Sequence, residues 1–241
     1  MGLEQQYRTA VAARVRTDVA RAWSPSLLAR ACVDVLPVDG AGVSLAQKML
    51  RVPLGWSSDD VGVAERAQTT LGAGPCLSAV DEGSPLAAGA AEIAERWPVY
   101  WDEIHQRTPF RSVASVPLRV DDQRPFGALD LYSTAADLVA LPLLEIDAAL
   151  AMPIALLLSG SFDAVYEQGP EVPDWFDEDP AVERLAVWTA VGMVLSTRGG
   201  TDTDALATIR AWAYSNGRTL DDVAGSLVDR RLPLEVVLSD R

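Results

Sequence analysis

The sequence predicts an α+β fold in two parts, a sheet-bearing N-terminal domain and an all-α C-terminal one. Two apolar runs, Arg111–Val120 and Phe126–Tyr132, flank the polar five-residue stretch Asp121–Pro125 and read as a β-hairpin. From Ala181 onward there are three amphipathic helical segments and no strand signal. Between these regions, residues 166–180 hold Asp174, Asp177, Glu178 and Asp179 together with three prolines, the composition of an inter-domain linker.

The elements follow in order. Leu3 to Ala22 reads as a helix, because Val11, Val15 and Val19 recur every four residues. Ser24-Pro25 is an N-cap followed by proline at the first helical position, opening a helix to about Leu36. After a turn at Pro37 to Gly40, Gly42–Leu45 and Val52–Trp56 read as short strands. Ser57 to Asp60 opens a further helix. Beyond the hairpin, an apolar helix runs from about Pro142 to Val165 and is expected to bend at Pro153. Ala181 to Thr197 is a helix closed by Gly199-Gly200. Thr201-x-x-Asp204 and Thr219-x-x-Asp222 are capping patterns that start two more, the last ending before Pro233. Three short helices of this kind bury their apolar stripes against one another. Trp188 and Trp212 are expected in that core.

The net charge of −14 opposes long-range attraction of polyanions. It is unevenly spread, since residues 163–180 carry 7 acidic and no basic side chains, and the part beyond carries 8 acidic and 7 basic ones. The C-terminal region is therefore nearly neutral. Two cysteines, Cys32 and Cys76, make neither a disulfide scaffold nor a zinc site. No signal-peptide pattern follows Met1. The most apolar window, Leu138 to Leu158, contains Glu145 and Asp147, so it is expected to be a buried helix and not a membrane span. A reducing cytoplasm is the expected setting.

Two groups of motifs carry a resemblance. Leu71-Gly72-Ala73-Gly74-Pro75-Cys76-Leu77, Arg96-Trp97-Pro98, Arg111-Ser112-Val113 and Phe126–Tyr132 resemble, in order and spacing, the GAF domains of actinobacterial regulators. Ala190-x-Gly192, Ala205, Ile209-Arg210, Ala213 and Arg218-x-Leu220-x-x-Val223-Ala224 resemble the ANTAR domain, a three-helix module that binds nascent RNA and controls transcription termination. The resemblance implies a GAF-like antiparallel sheet flanked by helices over residues 1–165, an acidic linker over 166–180 and an ANTAR-like three-helix bundle over 181–232. It implies dimerisation through the helices at the two ends of the GAF domain, an unknown small-molecule ligand in the GAF pocket, and paired RNA hairpins as partners of the bundle. Val191 stands where ANTAR domains usually have lysine, and Thr197 where a basic residue is common. Each lost phosphate contact lowers the salt slope of RNA binding by about 0.7.

The candidate RNA-binding residues are Arg210 and Tyr214, four apart on one helix, with Arg218 just beyond its end and Arg198 near the preceding helix terminus. An Arg–aromatic–Arg surface suits splayed loop bases. The candidate ligand-binding residues are Gly72, Gly74 and Cys76. Exposed N–H groups in such a turn hold anions, and a cysteine at a helix start has a lowered pKa. Inert packing is the competing reading of Cys76. His105, the sole histidine, reads as a surface residue and not a haem ligand. With no Gly-x-Ser-x-Gly elbow, cysteine cluster or metal or cofactor motif, the chain is expected to be no enzyme and to carry no cofactor. The expected function is a ligand- or partner-gated RNA-binding regulator of transcription termination, with the apolar Leu143–Val165 helix as lever. The alternative is a protein-interaction or dimerisation regulator whose bundle no longer binds RNA.

Overall fold

The computed structural model describes residues 1–17, 23–47, 50–138, 141–168 and 179–239. Most of the expected acidic linker, including Trp175 and Phe176, lies outside these residues.

The Ser24 hydroxyl accepts the Leu27 N–H at 3.2 Å, and Pro25 follows it as the first residue of α2 (Pro25–Val35). Helix α1 (Leu3–Thr17) packs on α2 through Tyr7, which is buried and donates to the Leu28 carbonyl at 3.4 Å. Arg14 clamps Asp34 with two bonds of 2.6 and 2.7 Å.

The sheet is antiparallel, in the order β2-β1-β5-β4-β3, with β1 Gly40–Gln47, β2 Leu50–Trp56, β3 Leu86–Ala88, β4 Ser112–Leu118 and β5 Gly127–Ser133. The expected hairpin is β4–β5, in register from Ser112 opposite Ser133 to Leu118 opposite Gly127. Every residue of these two strands is buried, because helices cover both faces of the sheet. On one face, Ala114, Val116, Leu118, Leu129 and Leu131 join the core under α2 and the C-terminal helices of the domain. The other face lies beneath α3 (Asp59–Leu71), α4 (Pro75–Glu82), α5 (Ala90–Arg96) and α6 (Pro98–Arg107), where Val113 and Tyr132 pack with Ile93, Tyr100 and Ile104. The three-residue β3 has too little alternation to be legible in the sequence.

The apolar stretch after the sheet forms α7 (Leu143–Ile146), a π-helical turn (Asp147–Ala151) and α8 (Met152–Gln168). The expected distortion at Pro153 takes the form of that π turn. Proline has no N–H for the i−4 carbonyl, and a wider turn accommodates the loss. Asp147 within it pairs with Arg119 at 2.6 Å. Leu143–Ser161 is long and apolar enough to cross a membrane by length and composition. Its inner face, from Ile146 to Leu158, is packed into the domain core.

The C-terminal region is α9 (Asp179–Arg198), α10 (Asp202–Ser215), α11 (Leu220–Val228) and α12 (Leu234–Ser239). Thr201 and Asp204 form a reciprocal capping box, and the Thr219 hydroxyl accepts the Asp222 N–H at 3.1 Å. The interior holds Val187, Ala190, Val194, Leu206, Ile209, Trp212, Ala213, Val223, Ala224 and Leu227. Two expectations are corrected here. Trp188 is 44 % exposed, because it sits one residue round the helix from buried Val187. The short helix α12 adds Val237 to the bundle beyond Pro233. The bundle is not tethered loosely. Helix α9 packs against β2, α10 and α11 pack against α3, and the two regions share one apolar core.

Candidate functional site

Beneath α3 and α4 the sheet face carries charge. Arg51 of β2, Glu65 of α3 and Asp130 of β5 are all fully buried. Arg51 Nη2 lies 2.5 Å from both Glu65 Oε2 and Asp130 Oδ2, and Nη1 donates to the Glu65 carbonyl at 3.1 Å. Ser115 donates to Asp130 Oδ1 at 2.5 Å, so the second carboxylate oxygen is also satisfied. Tyr132 donates to Glu65 Oε1 at 2.7 Å and accepts from Gln68 Nε2 at 3.1 Å. The Tyr100 hydroxyl, buried on α6, lies beside Tyr132. One guanidinium serving two carboxylates in a dry site gives strong charge-assisted bonds at a large desolvation cost. Burial, only partly offset by Arg51, pushes Glu65 up to about 7.

The Gly72-x-Gly74 turn serves this network and the bundle and is not an open anion cradle. Gly72 (φ +67°) closes α3, and a Cβ there would lie 2.6 Å from Arg210 Nη1. Gly74 (φ +149°) precedes α4, and a Cβ there would lie 2.4 Å from Gln68 Oε1. That oxygen accepts the Cys76 N–H at 2.9 Å, so a donor expected for a ligand is taken internally. For Cys76 the packing reading holds and the reactive one is corrected. It is fully buried, and burial raises its thiol pKa although Arg51 Nε donates to its sulfur at 2.8 Å. Burial pushes Cys32 up to about 12. Both thiols therefore stay protonated at neutral pH and are poor nucleophiles.

The expected open Arg–aromatic–Arg surface is corrected as well. Arg210 and Tyr214 do share a face of α10, but that face is turned to α3. Arg210 is 9 % exposed, and its Nε donates to the Thr69 carbonyl at 3.1 Å. Thr69 lies in the last turn of α3, where unsatisfied carbonyls and the helix dipole attract a cation. A second bond runs from the Leu220 N–H to Thr70 Oγ1 at 3.1 Å. Tyr214 is 51 % exposed and lines a groove between the bundle and α3–α6. Arg218 lines the same groove, and its Nη2 donates to the Asp222 carbonyl at 2.9 Å and to Ser226 at 2.8 Å. Arg198 lies beside a shallow depression with Gly199, Gly200 and Asp204, at the opposite end of α10. At 1.5 Å per residue, α10 separates it from Tyr214 by about 18 Å. His105 is exposed and stacks on Trp101 with ring centroids 4.9 Å apart. Among the described residues, no group of His, Cys, Asp and Glu side chains could hold a metal ion.

Asp130 was legible only as a charge inside the apolar run Phe126–Tyr132, and Arg51, one residue before the run Val52–Trp56, gave no such signal. Glu65 gave none, since a glutamate in an amphipathic helix is usually solvated.

A five-stranded antiparallel sheet between helical layers, with charged groups buried on one face, defines a compact α+β domain. Residues 26–162, more than half of the chain, match the family model described as GAF domain, and the chain belongs to the GAF domain family. Solved structures are similar to the chain at low identity and low TM-score. One is the GAF domain from a phosphoenolpyruvate-protein phosphotransferase of Coxiella burnetii (11 % identity, 70 % of this chain and 99 % of that one, TM-score 0.44). Another is a free methionine-R-sulfoxide reductase of Neisseria meningitidis (18 %, 70 % and 95 %, 0.41). A third is the A. aeolicus nlh2 GAF domain in an inactive state (10 %, 65 % and 98 %, 0.43). No match was found among curated proteins. Membership in the family gives the chain a sensory, regulatory role.

Proposed function

We propose that the protein is a non-enzymatic, signal-gated regulator in the cytoplasm, whose C-terminal bundle binds RNA hairpins of nascent transcripts while the GAF domain controls access to it. The observation that carries this reading is the clasp of Arg210 on the end of α3. A guanidinium suited to phosphate or base contact is held on the sensor in the docked state, next to half-exposed Tyr214 and to Arg218. A signal acts only by favouring one arrangement over the other. We place the lever at the seam between sensor and bundle, in addition to the expected Leu143–Val165 helix. Helices α10 and α11 rest on α3, and α9 on β2, and these elements carry Glu65 and Arg51, so the buried pair sits on two elements that touch the bundle.

The test is hairpin binding across a salt series. Gly72→Ala loosens the clasp from the sensor side, and we expect it to raise affinity at least threefold. Arg210→Ala together with Gly72→Ala should abolish the gain. No salt-sensitive binding by either wild type or Gly72→Ala would sink the reading. We further propose homodimerisation through the outer face of α7–α8, where Leu144, Met152, Leu156 and Leu157 are exposed. Leu157→Asp should yield monomers in analytical ultracentrifugation.

A second reading, a protein-interaction bundle without RNA binding, is favoured by α9. Val191 is buried, and Leu185 and Trp188 are 54 % and 44 % exposed, so α9 offers apolar surface where a basic face was expected.

A further inference from the structure

The sheet face beneath α3 and α4 is filled by the chain's own side chains, with Arg51, Glu65, Cys76, Asp130 and Tyr132 all at 0 % exposure. A cavity of about 230 Å³ lies instead at the seam, between α3 and α6 of the sensor and the α10–α11 turn of the bundle. We propose that this groove is a binding site for a guanine-type base.

The lining limits the ligand. Arg107 from the sensor and Arg218 from the bundle supply guanidinium groups, and Asp222, the third residue of α11, supplies a carboxylate, while Arg66, held over the Trp56 ring at 4.7 Å, and buried Asp221 form part of the wall. A simple anion is disfavoured by the carboxylate, and an apolar ligand by both signs of charge. The volume is below the roughly 300–1,000 Å³ of sites for drug-sized molecules. The occupant is therefore small, polar and close to neutral. Tyr214, half exposed at the mouth, adds a ring on which a flat heterocycle stacks. Guanine meets these demands with one ring system. Its O6 and N7 form an all-acceptor edge that a guanidinium reads in two bonds, and its N1–H and 2-amino group form an all-donor edge that suits a carboxylate. Adenine and cytosine each have a single amino donor on that edge and no such donor pair.

The rim is ready to exchange partners. Arg107 bonds Glu103 at 3.0 Å, an exposed i,i+4 pair whose net worth is small, so a ligand acceptor displaces it at little cost. The site is made of both domains and is complete only while Arg210 is docked. A bound base therefore stabilises the docked arrangement. The base has two sources, a free nucleoside or nucleotide and a splayed base of an RNA loop. The second rests on the RNA-binding reading above; the first does not.

The experiment is isothermal titration of guanosine, adenosine and cytidine into the full chain, with Tyr214→Ala and Arg107→Ala in parallel and hairpin binding measured on the same samples. We expect saturable guanosine binding, at least tenfold weaker adenosine binding, and a tenfold or greater loss in Tyr214→Ala. Arg107→Ala, at the exposed rim, reports on the site if Tyr214→Ala fails to fold. Mutual displacement of guanosine and a hairpin, both needing Tyr214, assigns the base to RNA. Guanosine binding with no hairpin competition assigns it to a free ligand and stands even if RNA binding fails. Absence of saturable guanosine binding at millimolar concentration, or binding that both variants leave unchanged, overturns the proposal, whatever the hairpin result.

Discussion

Arg51 holds two carboxylates that have no water to turn to. Removing it strands buried charge, so Arg51→Met should cost about 3–5 kcal/mol in urea denaturation. Adding Glu65→Gln and Asp130→Asn to it should restore more than half of that loss. Glu65 also sets a pH dependence. Its folded pKa of about 7 lies above the ordinary 4.5, so the native state binds more protons than the unfolded chain between those values. Stability from this group is full below pH 4.5 and falls as the pH rises through 7. Denaturation at stepped pH should show that decline in the wild type and a flatter profile in Glu65→Gln. At the end of α3, Gly72→Ala combines a left-handed backbone with a Cβ facing Arg210, and a loss of about 1–3 kcal/mol is expected.

At the scale of elements, α3 does two jobs along 13 residues. Its middle places Glu65 in the charged network, and its last turn offers Thr69 and Thr70 to the bundle. A change in the network therefore has a short rigid path to the clasp. Hydrogen exchange gives the check. Arg210→Ala should speed exchange at the α3 C-terminus and the α11 start, while β4 and β5 stay protected. Helix α9 shows why a familiar pattern is broken. Val191 is 4 % exposed, so lysine at that position would be buried with the apolar interior. Val191→Lys should destabilise the protein by on the order of 3 kcal/mol and not simply add an RNA contact. Unchanged stability with tighter hairpin binding would show that this position faces solvent.

For the whole molecule, one apolar core runs from α2 through the sheet to α11 and α12. Two regions joined in this way should unfold together, giving a single calorimetric transition with equal calorimetric and van't Hoff enthalpies. Two resolved transitions would mean that the seam contributes little. The seam also holds the groove that joins α3 and α6 to the α10–α11 turn, so docking and ligand access are aspects of one arrangement.

Local patterning determined much of this protein by itself. Alternation and a polar turn placed β4–β5, Ser24-Pro25 placed α2, and the two Thr-x-x-Asp caps placed α10 and α11, because these devices act within a few residues. The motifs Leu71–Leu77, Arg96–Pro98, Arg111–Val113 and Phe126–Tyr132, in that order and spacing, indicated the GAF fold by resemblance. Tertiary structure alone decided what the polar residues do. Arg210 and Tyr214 were legible as sharing a face, but only the packing of the bundle on α3 turned that face from solvent toward the sensor. Arg51, Glu65 and Asp130 come from segments far apart in the chain, and their pairing exists only where β2, β5 and α3 converge. A one-dimensional pattern records which residues lie on one face of an element. The energy of a buried charge depends on what lies opposite, which only the folded chain supplies.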